Sequence, residues 1–216
     1  MEADWEIEVG GGAPVIDALW SGFVDLRQAP ERIEELSEAL AFAPLAKFLV
    51  RVNGAASSLW SSKCDVWEPA VEAEADPDRI EPAVDSIEPI CSKAGARTTG
   101  VSAGLACYID LLPRRNLLFT QWEEAESFCR TCVERLESVD LLVGQVDLIV
   151  RQAIAGETEG FGITAYVSVV GTAPLTNAGQ TREQGLERGW LGAALGAALE
   201  ALADSITPHA LPVTGA

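Results

Sequence analysis

Near the start of the chain, Trp5-Glu6-Ile7-Glu8-Val9 alternates apolar and acidic residues. That period of two is the mark of a strand with one face buried and one face wet. Gly10-Gly11-Gly12 ends it, and a second extended stretch is predicted from Pro14 to Phe23-Val24-Asp25-Leu26. Pro30 suits the first turn of a helix, with Glu31 and Glu34 near its positive end and Ile33, Leu36 and Leu40 as its apolar stripe. This helix is expected to finish before Pro44. Residues 47–52 form an apolar run predicted as a buried strand, followed by a turn at Asn53-Gly54. Residues 59–67 then read as another strand, with Trp60, Cys64 and Val66 on one face.

From residue 68 to 88 the composition shifts to Pro, Ala, Asp and Glu. Ile80, Val84, Ile87 and Cys91 keep helical spacing, but Pro82 and Pro89 interrupt it, so an acidic connection leading into an irregular helix is expected. Residues 98–112 form a long extended stretch. Thr120-Gln121-Trp122-Glu123 has the form of a capping box, opening a helix that runs to about Glu137. Residues 145–154 and 161–170 read as two strands joined by a glycine-containing loop, the second with Phe161, Ile163, Ala165, Val167 and Val169 on one side. A last helix is predicted from about Thr181, where Gln184 completes a second capping box, to about Ser205.

Two segments match in residue type. Phe23-Val24-Asp25-Leu26 resembles Tyr108-Ile109-Asp110-Leu111, and Phe48-Leu49-Val50-Arg51 resembles Leu148-Ile149-Val150-Arg151. The order strand, helix, strand, strand, helix would then occur twice. The fold expected is α+β, with mostly antiparallel sheet, helices packed on one face, and two pseudo-symmetric halves. The halves are placed at residues 1–68 and 98–206, joined by an acidic connection over 69–97 and followed by a loose tail over 207–216, all within one compact domain.

Charge narrows the functions. The 216 residues carry 33 acidic and 15 basic side chains, a net charge of −18, and no basic run exceeds Arg114-Arg115. A phosphate backbone or an anionic membrane surface would repel such a chain, so neither nucleic acid nor membrane is an expected partner. A basic protein would be attracted and steered. Met1 to Val9 is acidic, without the basic start and apolar core of a secretory signal, and the five cysteines (Cys64, Cys91, Cys107, Cys129, Cys132) do not form a disulfide framework. Both features suit a reducing cytoplasm.

Candidate chemistry is sparse. Cys129-Arg130-Thr131-Cys132 lies about two turns inside a helix, on a stripe with Trp122, Ala125 and Leu136, so both sulfurs are expected in the core and not in a redox or zinc site. His209, the single histidine, sits in the tail, which removes most histidine-based catalysis. Gly10-Gly11-Gly12 lacks the Lys-Ser/Thr of a phosphate loop. Leu211-Pro212-Val213-Thr214-Gly215 matches a sortase signal, but the apolar span and basic tail that such a signal needs do not follow it. No metal or cofactor is expected. Gly192 and Gly196 on the last helix permit close packing, within the chain or in a homodimer.

Two functional expectations remain. The first is a binding protein, such as an immunity protein or inhibitor of a basic toxin or nuclease, that uses Trp67, Glu68, Glu72, Glu74, Asp76 and Asp78. The alternatives are an enzyme acting on a small metabolite, with Asp25, Asp110, Arg51 and Arg151 between the halves, or an assembly subunit.

Overall fold

The computed structural model describes residues 1–69, 100–141, 144–174 and 180–207, with the backbone alone at 100–103, 172–174 and 180–188. Its elements are β1 (Glu2–Glu8), β2 (Ile16–Asp17), a 3-10 turn (Pro30–Glu35), α1 (Ser37–Ala41), α2 (Ala43–Asn53), β3 (Leu59–Trp67), β4 (Gly100–Pro113), α3 (Trp122–Glu137), β5 (Gln145–Ala155), β6 (Thr158–Pro174) and α4 (Gln180–Ile206). The sheet runs β1-β5-β6-β4-β3, with β2 continuing the β1 edge beside β5. β1 and β2 lie parallel to β5, and all other pairs are antiparallel. The fold is therefore α+β on a mixed, mostly antiparallel sheet. Strands from both predicted halves belong to that one sheet, because β1 pairs with β5.

Helices cover one face. The alternation foreseen for residues 161–169 is realised in β6, where Ile163, Ala165, Val167 and Val169 are buried toward the helices. Beside them lie Cys107, Ile109 and Leu111 of β4 and Val146, Leu148 and Val150 of β5. α3 contributes Ala125, Cys129, Cys132 and Leu136, and α4 contributes Leu191, Leu195, Leu199 and Leu202. The small residues of α4 are used within the chain: a side chain at Gly196 would meet the Pro44 ring at 3.1 Å. A second, smaller cluster (Ile16, Ala18, Trp60, Leu112, Leu118 and Ala153) closes one end of the opposite face.

Several expectations give way. Residues 47–52 are helical: α1 ends at Ala41, ahead of Pro44 as expected, but Pro44 then opens α2, with Leu45, Phe48, Leu49 and Val52 as its buried stripe. Short apolar runs fit a buried strand or a buried helix equally well by period, and here packing against α4 decides. Phe23 to Asp25 is irregular chain and a turn begins at Leu26, next to the Arg27 guanidinium that stacks 3.8 Å from the Trp60 ring. The helix expected after Pro30 is a 3-10 turn and a short α1, and Leu40 is 68% exposed. At Thr120 no capping box forms. Gln121 is the N-cap without a side-chain bond, and the Thr120 hydroxyl lies 3.5 Å from Glu124. Both repeat-matched pairs therefore join unlike structures, an irregular segment with a strand and a helix with a strand, and give no support to an internal two-fold.

β3 holds a bulge. Ser61 stands opposite Leu111 and Cys64 opposite Ile109, so Ser62 and Lys63 together face Asp110. The extra residue reverses the alternation, which puts Trp60 on the opposite face from Cys64 and Val66. The bulged strand is tied to α2 by buried Asn53, whose amide donates to the Leu49 carbonyl (2.8 Å) and Ser61 Oγ (2.7 Å) and accepts from Ser61 N (3.2 Å). Asn53→Ala strands those polar groups out of water. Urea unfolding should register a loss of about 1–3 kcal/mol; an unchanged midpoint would show that the bulge is held by other contacts.

Candidate functional site

The register fixes what the other face of the sheet carries, the one that no helix covers among the described residues. Glu2, Asp4, Glu6 and Glu8 of β1 stand beside Gln145, Asp147, Ile149 and Arg151 of β5. These face Ser168, Tyr166, Thr164 and Gly162 of β6. Tyr166 and Thr164 in turn oppose Tyr108 and Asp110 of β4, and Tyr108 opposes Asp65 of β3. The face thus holds the carboxylates of Glu2, Asp4, Glu6, Glu8, Asp65, Asp110 and Asp147 against two cations, Arg151 and Lys63. Among the described residues, Glu2, Asp4, Glu6, Asp65 and Asp147 pair with no cation.

A polar chain crosses the middle of this face. Arg151 donates to Glu8 Oε2 at 2.6 and 3.0 Å, and its Nη1 reaches Thr164 Oγ1 at 3.4 Å and the Tyr166 hydroxyl at 3.5 Å. Thr164 donates to Asp110 Oδ1 at 2.7 Å. Thr164 is 1% exposed and Asp110 8%, so the hydroxyl bridges two charged groups out of bulk water. Burial raises the Asp110 pKa above the ordinary carboxylate range; the Thr164 hydrogen bond, Arg151 and Lys63 offset only part of that.

An aromatic patch lies next to the chain. Tyr108 and Tyr166 have ring centroids 6.0 Å apart, and Trp67, 36% exposed, leans on them at 6.2 and 6.5 Å. A cleft of about 210 Å³ opens beside the bulge, lined by Trp20, Lys63, Cys64, Asp65 and Tyr108 among others. Cys64 is no nucleophile there, because burial pushes its thiol up to about 12. Cys107 is also raised to about 12 and Cys132 to about 11, and burial raises Cys129 as well. Cys129 and Cys132 are core residues of α3, as their spacing foretold. Among the described residues no group of three or more His, Cys, Asp or Glu side chains is placed to hold a metal ion, and no helix is long and apolar enough to cross a membrane.

The four residues foreseen as one polar site separate into three places. Asp110 and Arg151 meet through Thr164. Asp25 is held in a turn by Arg27, with hydrogen bonds of 2.8 Å from Nε and Nη2 that keep its carboxyl below the usual range. Arg51 lies on α2 and bridges to Asp204 of α4 at 2.5 Å. Of the predicted binding residues, Trp67 joins the aromatic patch and Glu68 follows it, exposed; Glu72, Glu74, Asp76 and Asp78 lie outside the described residues, as does His209. Sequence reasoning missed Tyr108, Tyr166, Thr164 and Glu8. Their signal was the polar half of each alternating strand, opposite the apolar half that defined the core.

Models of known protein families give no match to this chain, and curated proteins give none either.

Two outcomes test the polar chain. Thr164→Val leaves Asp110 and Arg151 buried without their bridge and should cost about 1–3 kcal/mol in urea unfolding; a neutral effect would show that the bridge is incidental. Asp110, with its raised folded-state pKa, favours the fold when protonated, and that advantage is lost as pH rises through the raised value. Asp110→Asn removes this loss, so its stability relative to wild type should improve as pH rises above the carboxylate range. A difference that is flat with pH would contradict the assignment.

Proposed function

We propose that this protein is a binding protein whose helix-free sheet face docks a basic protein partner. The concrete form is an inhibitor or immunity protein that neutralises a basic toxin or nuclease. The observation that carries the reading is the one-sided face just described, where carboxylates without cation partners surround an aromatic patch. Exposed charge of one sign over several strands raises the local concentration of an opposite charge and speeds encounter. The tryptophan and tyrosines supply the apolar contact area on which interface energy usually concentrates.

The alternative, a small-metabolite enzyme, has one point in its favour: a buried carboxylate with a raised pKa beside an arginine. Against it, Asp25 and Arg51 are engaged elsewhere. Asp110 and Thr164 are also closed off almost completely, leaving a substrate no room to reach them.

Affinity capture from the native host should recover a basic protein. Its association rate, measured by stopped flow, should fall about tenfold or more between low and physiological ionic strength, as expected for steering over a Debye length of about 8–10 Å. Recovery of no basic partner, or a rate indifferent to salt, would overturn the reading.

A further inference from the structure

One transverse row of the open face has a more specific chemistry. Asp65, Tyr108, Tyr166 and Asp147 stand directly opposite one another on β3, β4, β6 and β5. Neighbouring strands lie about 4.8 Å apart, so two carboxylates flank a floor of two rings across roughly 14 Å. The tyrosine planes are inclined at 46°, and Trp67 closes the third side, edge-on to Tyr166 at 89°. Asp147 accepts hydrogen bonds from the Gln145 amide and Asp65 from Val66 N, and neither is paired with a cation among the described residues. The resident cations lie beside this floor and not over Asp65 or Asp147. Arg151 is committed to Glu8, with Nη1 3.5 Å from the Tyr166 hydroxyl and its guanidinium 5.6 Å from that ring, and Lys63 lies near the Tyr108 hydroxyl and 5.7 Å from the Trp20 ring.

The geometry points to a subsite for an arginine side chain of the basic partner, stacked on the Tyr108–Tyr166–Trp67 patch and hydrogen-bonded to Asp65 or Asp147. This rests on the docking role proposed above and names the group that the face reads. A guanidinium fits better than an ammonium. Its plane stacks on an aromatic ring while its edge donates two parallel hydrogen bonds to a carboxylate, and an ammonium is a compact point charge that does only one of these well. The same fold already builds this arrangement from its own residues. Arg27 lies 3.8 Å over Trp60 while Asp25 accepts two bonds of 2.8 Å from it.

The test is calorimetric titration of the full chain at low ionic strength with a capped hexa-arginine peptide and, separately, with hexalysine. Hexa-arginine should bind several-fold more tightly. The double variant Asp65→Asn/Asp147→Asn should weaken hexa-arginine by about tenfold or more, and Trp67→Leu by about 5- to 30-fold. The control Glu2→Gln/Glu6→Gln removes the same charge from the same face and should cost no more than about threefold, the effect of a rim charge. The aspartate pair is surface-borne, so its result stands even where Trp67→Leu unfolds. Equal loss in the control and the aspartate pair, or equal affinity for the two peptides, overturns the arginine subsite and leaves the docking face in place. Failure of the wild-type chain to bind either peptide overturns both.

Discussion

The register of β6 between β4 and β5 is the constraint on which the molecule depends. Because side chains alternate strictly across a strand, that register sends Ile163, Ala165, Val167 and Val169 into the helices and Thr164, Tyr166 and Ser168 to the other side. A slip of one residue would exchange the two sets, burying Thr164, Tyr166 and Ser168 and exposing the core. The partition extends across strands: each buried apolar residue on the helix side of β5 and β4 has at least one polar neighbour on the far side, beside the apolar Ala106, Leu112 and Ile149. One surface is thus closed by α2, α3 and α4, and the other is left charged.

Buried charge in the middle of the open face is tolerated because it is shared. Arg151 and Asp110 are too deep for full hydration, and Thr164 lets each polarise the other through one hydroxyl. Desolvation still dominates for Asp110, hence its raised pKa. Toward the edges the carboxylates of β1 and β3 stay in water, where net negative charge costs the fold little and deters edge-to-edge pairing of strands. In the docking role proposed above, the same exposure would draw in a basic surface. Stability and the proposed recognition would then draw on one distribution of charge: desolvated and paired at the centre, hydrated and unpaired at the rim.

How much was legible in the sequence depended on whether local pattern and tertiary packing agreed. The strands at 145–154 and 161–170 were legible because their two faces meet different environments, which writes a period of two into the residues. α3 was legible from its stripe of Ala125, Cys129, Cys132 and Leu136, and α4 from its extent between about Thr181 and Ser205. Residues 47–52 were not, because a six-residue apolar run has no period long enough to distinguish strand from helix, and only α4 settles it. The face of Trp60 was misread because a bulge adds one residue without any local mark. Asp110 and Arg151 were picked out through a presumed repeat, yet they meet because β4 and β5 flank β6, which no local motif announces. Tyr108 and Tyr166 were invisible as a pair for the same reason: strand order, and not sequence neighbourhood, makes them adjacent.

The proposed docking role depends on where the negative charge lies, and one comparison separates that from acidity in general. Two variants remove equal charge: Glu2, Asp4, Glu6, Asp65 and Asp147 changed to their amides on the open face, or Glu31, Glu34, Glu123, Glu124 and Glu134 changed to Gln on the helical side. Capture of the basic partner from the native host is then quantified for each. The first set should abolish capture and the second should leave it nearly intact. Equal loss from both sets would mean that net charge alone recruits the partner, and that the helix-free face has no special part in binding.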